Sequence, residues 1–443
     1  MDNTRAPAPP TLGETCRYWL KLGFISVGGP AGQIALMHTD LVENKRWISE
    51  QRFLHALKYC MLLPGPEATQ LAIYINWLLH GIVGGIIAGV LFFLPAFLLL
   101  SLLAGVYLAW GDVPLLTGLF YGIKPAVVAI VVFAAWRIGS RTLKSGILWG
   151  IAALSFIGSL VFGIGFPWIV FGAGLIGIIG GQLHPADFQG NPGHGSQLAS
   201  YGAAVIDDHS PTPTHARFSW QKLAFILTAF ILIWLLVMLA IRGTLALADM
   251  GSFFTKAAFL TIGGAYAVLP YVYQGGVEHF GWLTGPQMMD GLALGETTPG
   301  PLIMVVTWVG YLGGIAKGVA DNPITAGLLG ASVATFFTFL PSFLFILAGG
   351  PLVEATRNVL KFTAPLTAIT AAVVGVILNL AVFFAWHTFW PDGTAAAPFS
   401  GTFEWFLVLL TSAAFLALWK YKQDVLPVIA ACALAGLGYR LIG

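Results

Sequence analysis

Two prolines and a glycine stand directly before a glutamate in "LLPGPEATQ", residues 62–70, and the tripeptide returns in "TTPGPLIMV", residues 297–305. Proline fits the first turn of a helix, where its missing N–H is not needed. Each Pro-Gly-Pro (Pro64, Gly65, Pro66 and Pro299, Gly300, Pro301) therefore reads as the end of one half-helix and the start of another. A helix starting there presents unpaired N–H groups and the positive end of a dipole of about half a charge. An oxyanion suits such an end. A proline kink with a packing duty alone is the competing reading.

Other residues could serve the same chemistry. In "SVGGPAGQ" (26–33) and "TIGGAYA" (261–267), the pairs Gly28–Gly29 and Gly263–Gly264 permit backbone conformations closed to other residues. Ser26, Gln33 and Thr261 beside them can donate hydrogen bonds, and Pro30 follows the first pair. Close helix packing explains the glycines equally well. Lys21 and Lys256 recur at matched positions, and Lys124 precedes Pro125 within an apolar run. An ammonium in such a segment faces a partner or an aqueous path, or snorkels to the headgroups. Arg52 and Lys58 could form a cytoplasmic vestibule. Glu67, Asp290 and Glu296 are candidate proton carriers, with pairing to Lys58, Lys21 or Lys256 as the alternative. Tyr266, Asn76 and Asn379 are weaker polar candidates.

The elements that position these residues follow from composition. Of 443 residues, 57% are hydrophobic and 9% charged, with mean hydropathy +0.83. Globular chains carry about 25% charged residues, so a bilayer is the expected solvent, with membrane lipid as a partner. No Asp, Glu, Lys or Arg lies between Glu67 and Asp112, Lys144 and Asp187, Lys222 and Arg242, or Asp321 and Glu354. Each of these runs supplies the roughly 20 residues a spanning helix needs. Without period-2 alternation, only helices satisfy the backbone in lipid. The fold class is an all-α polytopic membrane protein. No basic patch of nucleic-acid type occurs. Cys16, Cys60 and Cys432 form no CxxC site, so neither a redox cofactor nor a disulfide framework is expected. The opening "MDNTRAPAPP" lacks an apolar h-region and reads as a disordered tail.

Sliding the chain against itself by 235 residues places Lys21 over Lys256, Trp47 over Trp282 and one Pro-Gly-Pro over the other; 11 of the 46 positions from 21 to 66 are identical. "FFLPAF" (92–97) then matches "TFLPSF" (338–343) after a short insertion. Duplication is a recurring feature of secondary transporters. The expected organisation is a tail (1–11), a first repeat (12–182), a polar cytoplasmic linker (183–219), an extra transmembrane helix (220–241) and a second repeat (242–443). The linker carries His184, His194, His209 and His215, whose spacing fits no metal motif. Spans are expected at 82–110, 115–138, 145–163 and 166–182, and again at 324–349, 362–384, 403–419 and 425–441.

Orientation follows from charge. The loop "RIGSRTLK" (137–144), Arg217, Lys222, Arg357, Lys361, Lys420 and Lys422 fall on one side, while 387–402 has no Lys or Arg. The positive-inside rule makes the first group cytoplasmic and the halves antiparallel. This requires that 12–37, 50–80 and their copies return to the side they entered. Arms of about 15 residues reach only about 20 Å, so re-entrant hairpins are expected, with two long broken helices as the alternative.

The stretch from "GFISVGGPAGQ" to "LLPGPEATQLAIYINWLLHG", with "FLTIGGAYAVLPYV" and "ETTPGP" in the second half, resembles the chromate transporter (CHR) family in its long two-domain form. The resemblance covers essentially all but the linker. It implies chromate efflux across the bacterial inner membrane and chromate resistance, with sulfate as the similar oxyanion; a homodimer is left open. Proton exchange is suggested by the family and permitted by Glu67 or Glu296. Sulfate or another anion as the main cargo is the alternative. A membrane-embedded chromate reductase would need a redox cofactor motif, which the sequence lacks.

Overall fold

The computed structural model describes residues 6–26, 29–111, 113–188, 201–208, 210–262, 264–355, 363–392 and 399–442. Gly28, Gly263, His194, His209, Arg357 and Lys361 lie outside the described residues. So do residues 1–5 of the tail.

The first half runs α1 (Leu12–Ile25), α2 (Gly29–His38), α3 (Glu50–Leu62), α4 (Glu67–Trp110), α5 (Pro114–Thr142), α6 (Gly146–Leu160) and α7 (Phe166–Leu183). A short α8 (Pro185–Phe188) and α9 (Trp220–Ile241) lead to the second half. There the order recurs: α10 (Leu245–Leu260), α11 (Ala265–Tyr273), α12 (Gly285–Thr297), α13 (Val305–Ala316), α14 (Pro323–Ala355), α15 (Thr363–Phe389), α16 (Trp405–Trp419) and α17 (Val425–Ile442). Even the wide turns that end α2 and α11, Thr39–Asn44 and Gln274–His279, correspond. The protein is all-helical in two homologous halves. Among the described residues, six helices are long and apolar enough to cross a membrane, namely α4, α5, α7, α9, α14 and α15.

As one rod, the 44 residues of α4 would extend about 66 Å at 1.5 Å per residue, about twice the hydrocarbon thickness. Gly81 breaks the rod at φ 70° and ψ −159°. Asn76 donates to the Gly84 carbonyl across the break at 2.7 Å, so this polar candidate holds a bend. The matched break in the second half is open loop between α13 and α14. There Gly318 takes φ 59° and Asn322 Oδ1 accepts from the amides of Ile324 and Thr325 at the start of α14.

The halves interlock. α5 packs along α16 and α17, while its counterpart α15 packs along α6 and α7. Small residues permit this, since a Cβ on Gly436 of α17 would fall 2.3 Å from the Gly122 Cα of α5. Helix α9 buries no residue, and a helix apolar on every side suits hydrocarbon.

One element departs from the sequence reading. Helix α5 continues to Thr142, so Arg137 belongs to a helix rather than to a basic loop. The described end of the linker is docked on the first half. Val205 and Ile206 donate their amides to the Arg46 and Trp47 carbonyls at 3.0 Å each, and Ser49 donates to Ile206 at 2.9 Å. Further on, His215 contacts the Trp77 carbonyl at 2.8 Å beside the Gly81 break.

Candidate functional site

The two Pro-Gly-Pro bends meet the opposite halves in matched ways. Gly65 donates its amide to the Thr261 carbonyl at 2.7 Å, and Gly300 donates to Ser26 at 2.9 Å. Both glycines hold positive φ, 124° and 113°, where a side chain is strained. A Cβ on Gly65 would lie 2.7 Å from Ser342 Oγ, and one on Gly300 would lie 2.6 Å from the Ala96 Cβ. Ala96 and Ser342 follow the matched prolines Pro95 and Pro341. Each bend is thus wedged between the glycine turn and the proline-bearing helix of the other half.

Glutamines brace the arrangement. Gln33 Nε2 donates to the Gly300 carbonyl at 2.6 Å, and Gln70 Nε2 donates to the Pro64 carbonyl at 2.6 Å. Pro66 caps the start of α4, Pro301 precedes the single turn Leu302–Met304 before α13, and Gly264 caps α11 at φ 98°. Gly29 at φ 74° and Pro30 open α2. Four half-helix starts therefore gather around the crossing. Ser26 Oγ, Gln33 Oε1, Thr69 Oγ1 and Gln70 Oε1 are buried there with no hydrogen-bond partner among the described residues. Buried polar atoms ordinarily have partners, so the crossing has spare capacity for a polar guest.

Two carboxylates flank one of these starts. Glu67 lies in the first turn of α4, and a Cβ on Gly264 would sit 3.9 Å from its Oε1. Tyr266 donates its hydroxyl to Glu296 Oε1 at 2.5 Å. The Arg137 guanidinium stands 5.9 Å from the Tyr266 ring centroid. Glu67 occupies a positive helix end. At the second bend the matched residue is Leu302, so the two ends differ.

The basic candidates disperse. Lys21 lines an outlying cavity of about 650 Å³ with Glu14, Arg17, Asp40 and Lys45. Lys58 and Lys256 are exposed. Arg52 does not line an open vestibule: it is 5% exposed, paired with Glu354, which also accepts from Tyr74 Oη at 2.6 Å. Lys124 faces a cavity of about 400 Å³ with Asp290, and Tyr107 Oη donates to Asp290 Oδ2 at 2.9 Å. Asp290 is thus remote in sequence from its partner. Thr261 Oγ1 bonds the Ala257 carbonyl at 2.7 Å, while its own carbonyl serves the crossing. Asn379 donates to Ser159 Oγ at 2.8 Å, a packing contact.

Sequence reasoning missed Arg137, Gln70 and Arg440. The signal for Arg137 existed, because the 246-residue offset that aligns Pro95 with Pro341 also aligns "KPAVVA" (124–129) with "TAAVVG" (370–375). It pairs Lys124 with Thr370 and Arg137 with Phe383. Arg137 is thus a cation present in one copy only.

Two interlocked homologous halves, membrane-length apolar helices and broken helices at matched bends define a multi-pass membrane transporter. The chain belongs to the chromate transporter family, whose model matches residues 13–178 and 248–437. It is therefore a transporter rather than an enzyme. It is 32% identical to a chromate transport protein of Pseudomonas aeruginosa over 98% of this chain and 94% of that one. It is 29% identical to a chromate transport protein of Cupriavidus metallidurans over 96% and 93%. An uncharacterized transporter of Bacillus subtilis matches at 28% identity over 36% of this chain and 80% of its own length. No solved structure gives a significant match.

Proposed function

We propose that the protein exports chromate from the cytoplasm across the inner membrane of a bacterium and thereby confers chromate resistance. The reciprocal seating of Gly65 on Thr261 and Gly300 on Ser26 carries the reading. It brings the starts of α2, α4, α11 and α13 to one place, where amide dipoles favour an oxyanion. The names of the relatives from Pseudomonas aeruginosa and Cupriavidus metallidurans support chromate as cargo.

The halves are inverted. Four spans in the first half return the chain to the side of the basic loops, and the single helix α9 then starts the second half on the opposite face. This counts α1–α3, the first arm of α4 and their copies as re-entrant. Lys21, Lys256 and Lys58 attract the anion toward the crossing, and Glu67 and Glu296 exchange protons during the cycle. A potential of about 100 mV, inside negative, acts on each charge with about 2.3 kcal/mol. A dianion is driven outward by about 4.6 kcal/mol, a ratio above about a thousandfold.

Sulfate as the main cargo is a second reading. Amides and hydroxyls at the crossing sense charge and tetrahedral shape, which sulfate shares. Uptake by everted vesicles tests both: chromate entering, with sulfate as a weak competitor, supports the first reading. Sulfate entering at far lower concentration than chromate supports the second.

A further inference from the structure

The contact between α3 and α14 and that between α12 and α4 occupy equivalent places in the two halves. The first is sealed by the buried pair Arg52–Glu354. At the second, the residues matched to Arg52 and Glu354 are Gln287 and Leu108, and a cavity of about 400 Å³ stands open. Lys124 from α5 and Arg440 from α17 both line it, opposite Asp290. Asp290 is 3% exposed, and its Oδ1 has no hydrogen-bond partner among the described residues. Lys124 and Asp290 therefore face each other without forming the closed ion pair that fills the equivalent place.

The remaining charges are engaged. Tyr107 donates to Asp290 Oδ2, and Tyr121 donates to Glu404 at 2.6 Å while the Arg440 guanidinium covers the Tyr121 ring at 4.5 Å. The lining itself thus carries two cations and one carboxylate, with Glu404 engaged behind Tyr121, an excess of positive charge that favours an anion. We infer that the Lys124–Arg440 cavity is a second oxyanion site, separate from the crossing of the bends, where a tetrahedral dianion bridges the ammonium and the guanidinium. Resting on the anion-transport reading, it serves as a station between the crossing and the face where α4 meets α5.

Thr117, exposed and lining the cavity, provides a reporter. In a C16S/T117C protein, purified in detergent, modification by a neutral maleimide is timed against sulfate concentration. Sulfate is expected to slow the reaction. The half-protecting concentration rises about tenfold or more in K124Q and in R440Q, the loss of one charged hydrogen bond, whereas K124R retains protection. Absence of protection, or protection indifferent to both glutamine substitutions, overturns the inference. Protection by phosphatidylglycerol nanodiscs with none from sulfate also overturns it, assigning the cavity to a lipid phosphate. Chromate flux in the same protein keeps the two readings apart. Flux without protection rejects the second site alone, and protection without flux rejects the transport reading alone.

Discussion

Gly65 gives its amide to the carbonyl of Thr261 across 2.7 Å, joining a proline-bounded bend in one half to a glycine turn in the other. Its counterpart, Gly300, gives its amide to Ser26. Contacts that repeat with partners exchanged are the mark of a two-fold axis, so each bend is seated on the glycine turn of the other half.

The pair Arg52–Glu354, buried and joined by Tyr74, ties the first half to the second. Removing one partner by E354A leaves a buried guanidinium and is expected to cost about 3–5 kcal/mol, whereas R52M/E354M recovers most of that loss. Thermal unfolding in detergent checks this. Equal destabilisation in the single and double variants would mean the pair is not what holds that contact.

Glu296 and Glu67 stand at the start of α11, one held by Tyr266 and the other facing Gly264. E296Q and E67Q keep the shape of the carboxyl and remove its proton chemistry. Each is expected to retain anion binding while losing proton movement coupled to flux, read with a pH-sensitive dye inside vesicles. Y266F, which leaves the buried Glu296 carboxyl without this donor, is expected to cost about 1–3 kcal/mol in thermal unfolding. Wild-type coupling in both glutamine variants would remove the carboxylates from the cycle.

Lys21 and Lys256 lie on exposed helix faces rather than at the crossing. Their effect should therefore be long-range. Initial uptake in K21Q and K256Q is expected to fall about threefold near 0.01 M salt, where the Debye length is about 30 Å, and hardly at all near 1 M. A loss that persists at high salt would instead place the ammonium in contact with the anion.

Much of this was legible beforehand because a repeat is visible without any partner information. The 235-residue offset paired both bends and both glycine turns, and the apolar runs marked the spans. What could not be read was anything that depends on which faces touch. Arg137 looked like part of a basic loop because Arg and Lys follow it; only the continuation of α5 to Thr142 makes it a neighbour of Tyr266. Arg52 meets Glu354 across 302 residues and Tyr107 meets Asp290 across 183, pairings no spacing rule supplies. Lys21 and Lys256 sit at matched positions yet on exposed faces, since a repeat preserves surface charges as readily as sites.

Orientation is open to direct labelling. Lys144, after α5, and Pro391, after its counterpart α15, are both exposed. In a C16S background, K144C and P391C are expected to react with an impermeant maleimide from opposite sides of the membrane, Lys144 from the cytoplasm. Reaction of both from one side would show parallel halves and dissolve the argument that paired helix starts approach from both faces.

The most direct test of the central claim is chromate uptake into everted membrane vesicles or proteoliposomes under an imposed, inside-positive potential. Wild-type protein is expected to accumulate chromate, with sulfate competing. G65A and G300A, each forcing a Cβ into a positive-φ bend at a penalty of about 1–3 kcal/mol, should abolish uptake to the same degree. No movement of chromate by the wild-type protein under either sign of potential, or full activity in both glycine variants, would contradict the account.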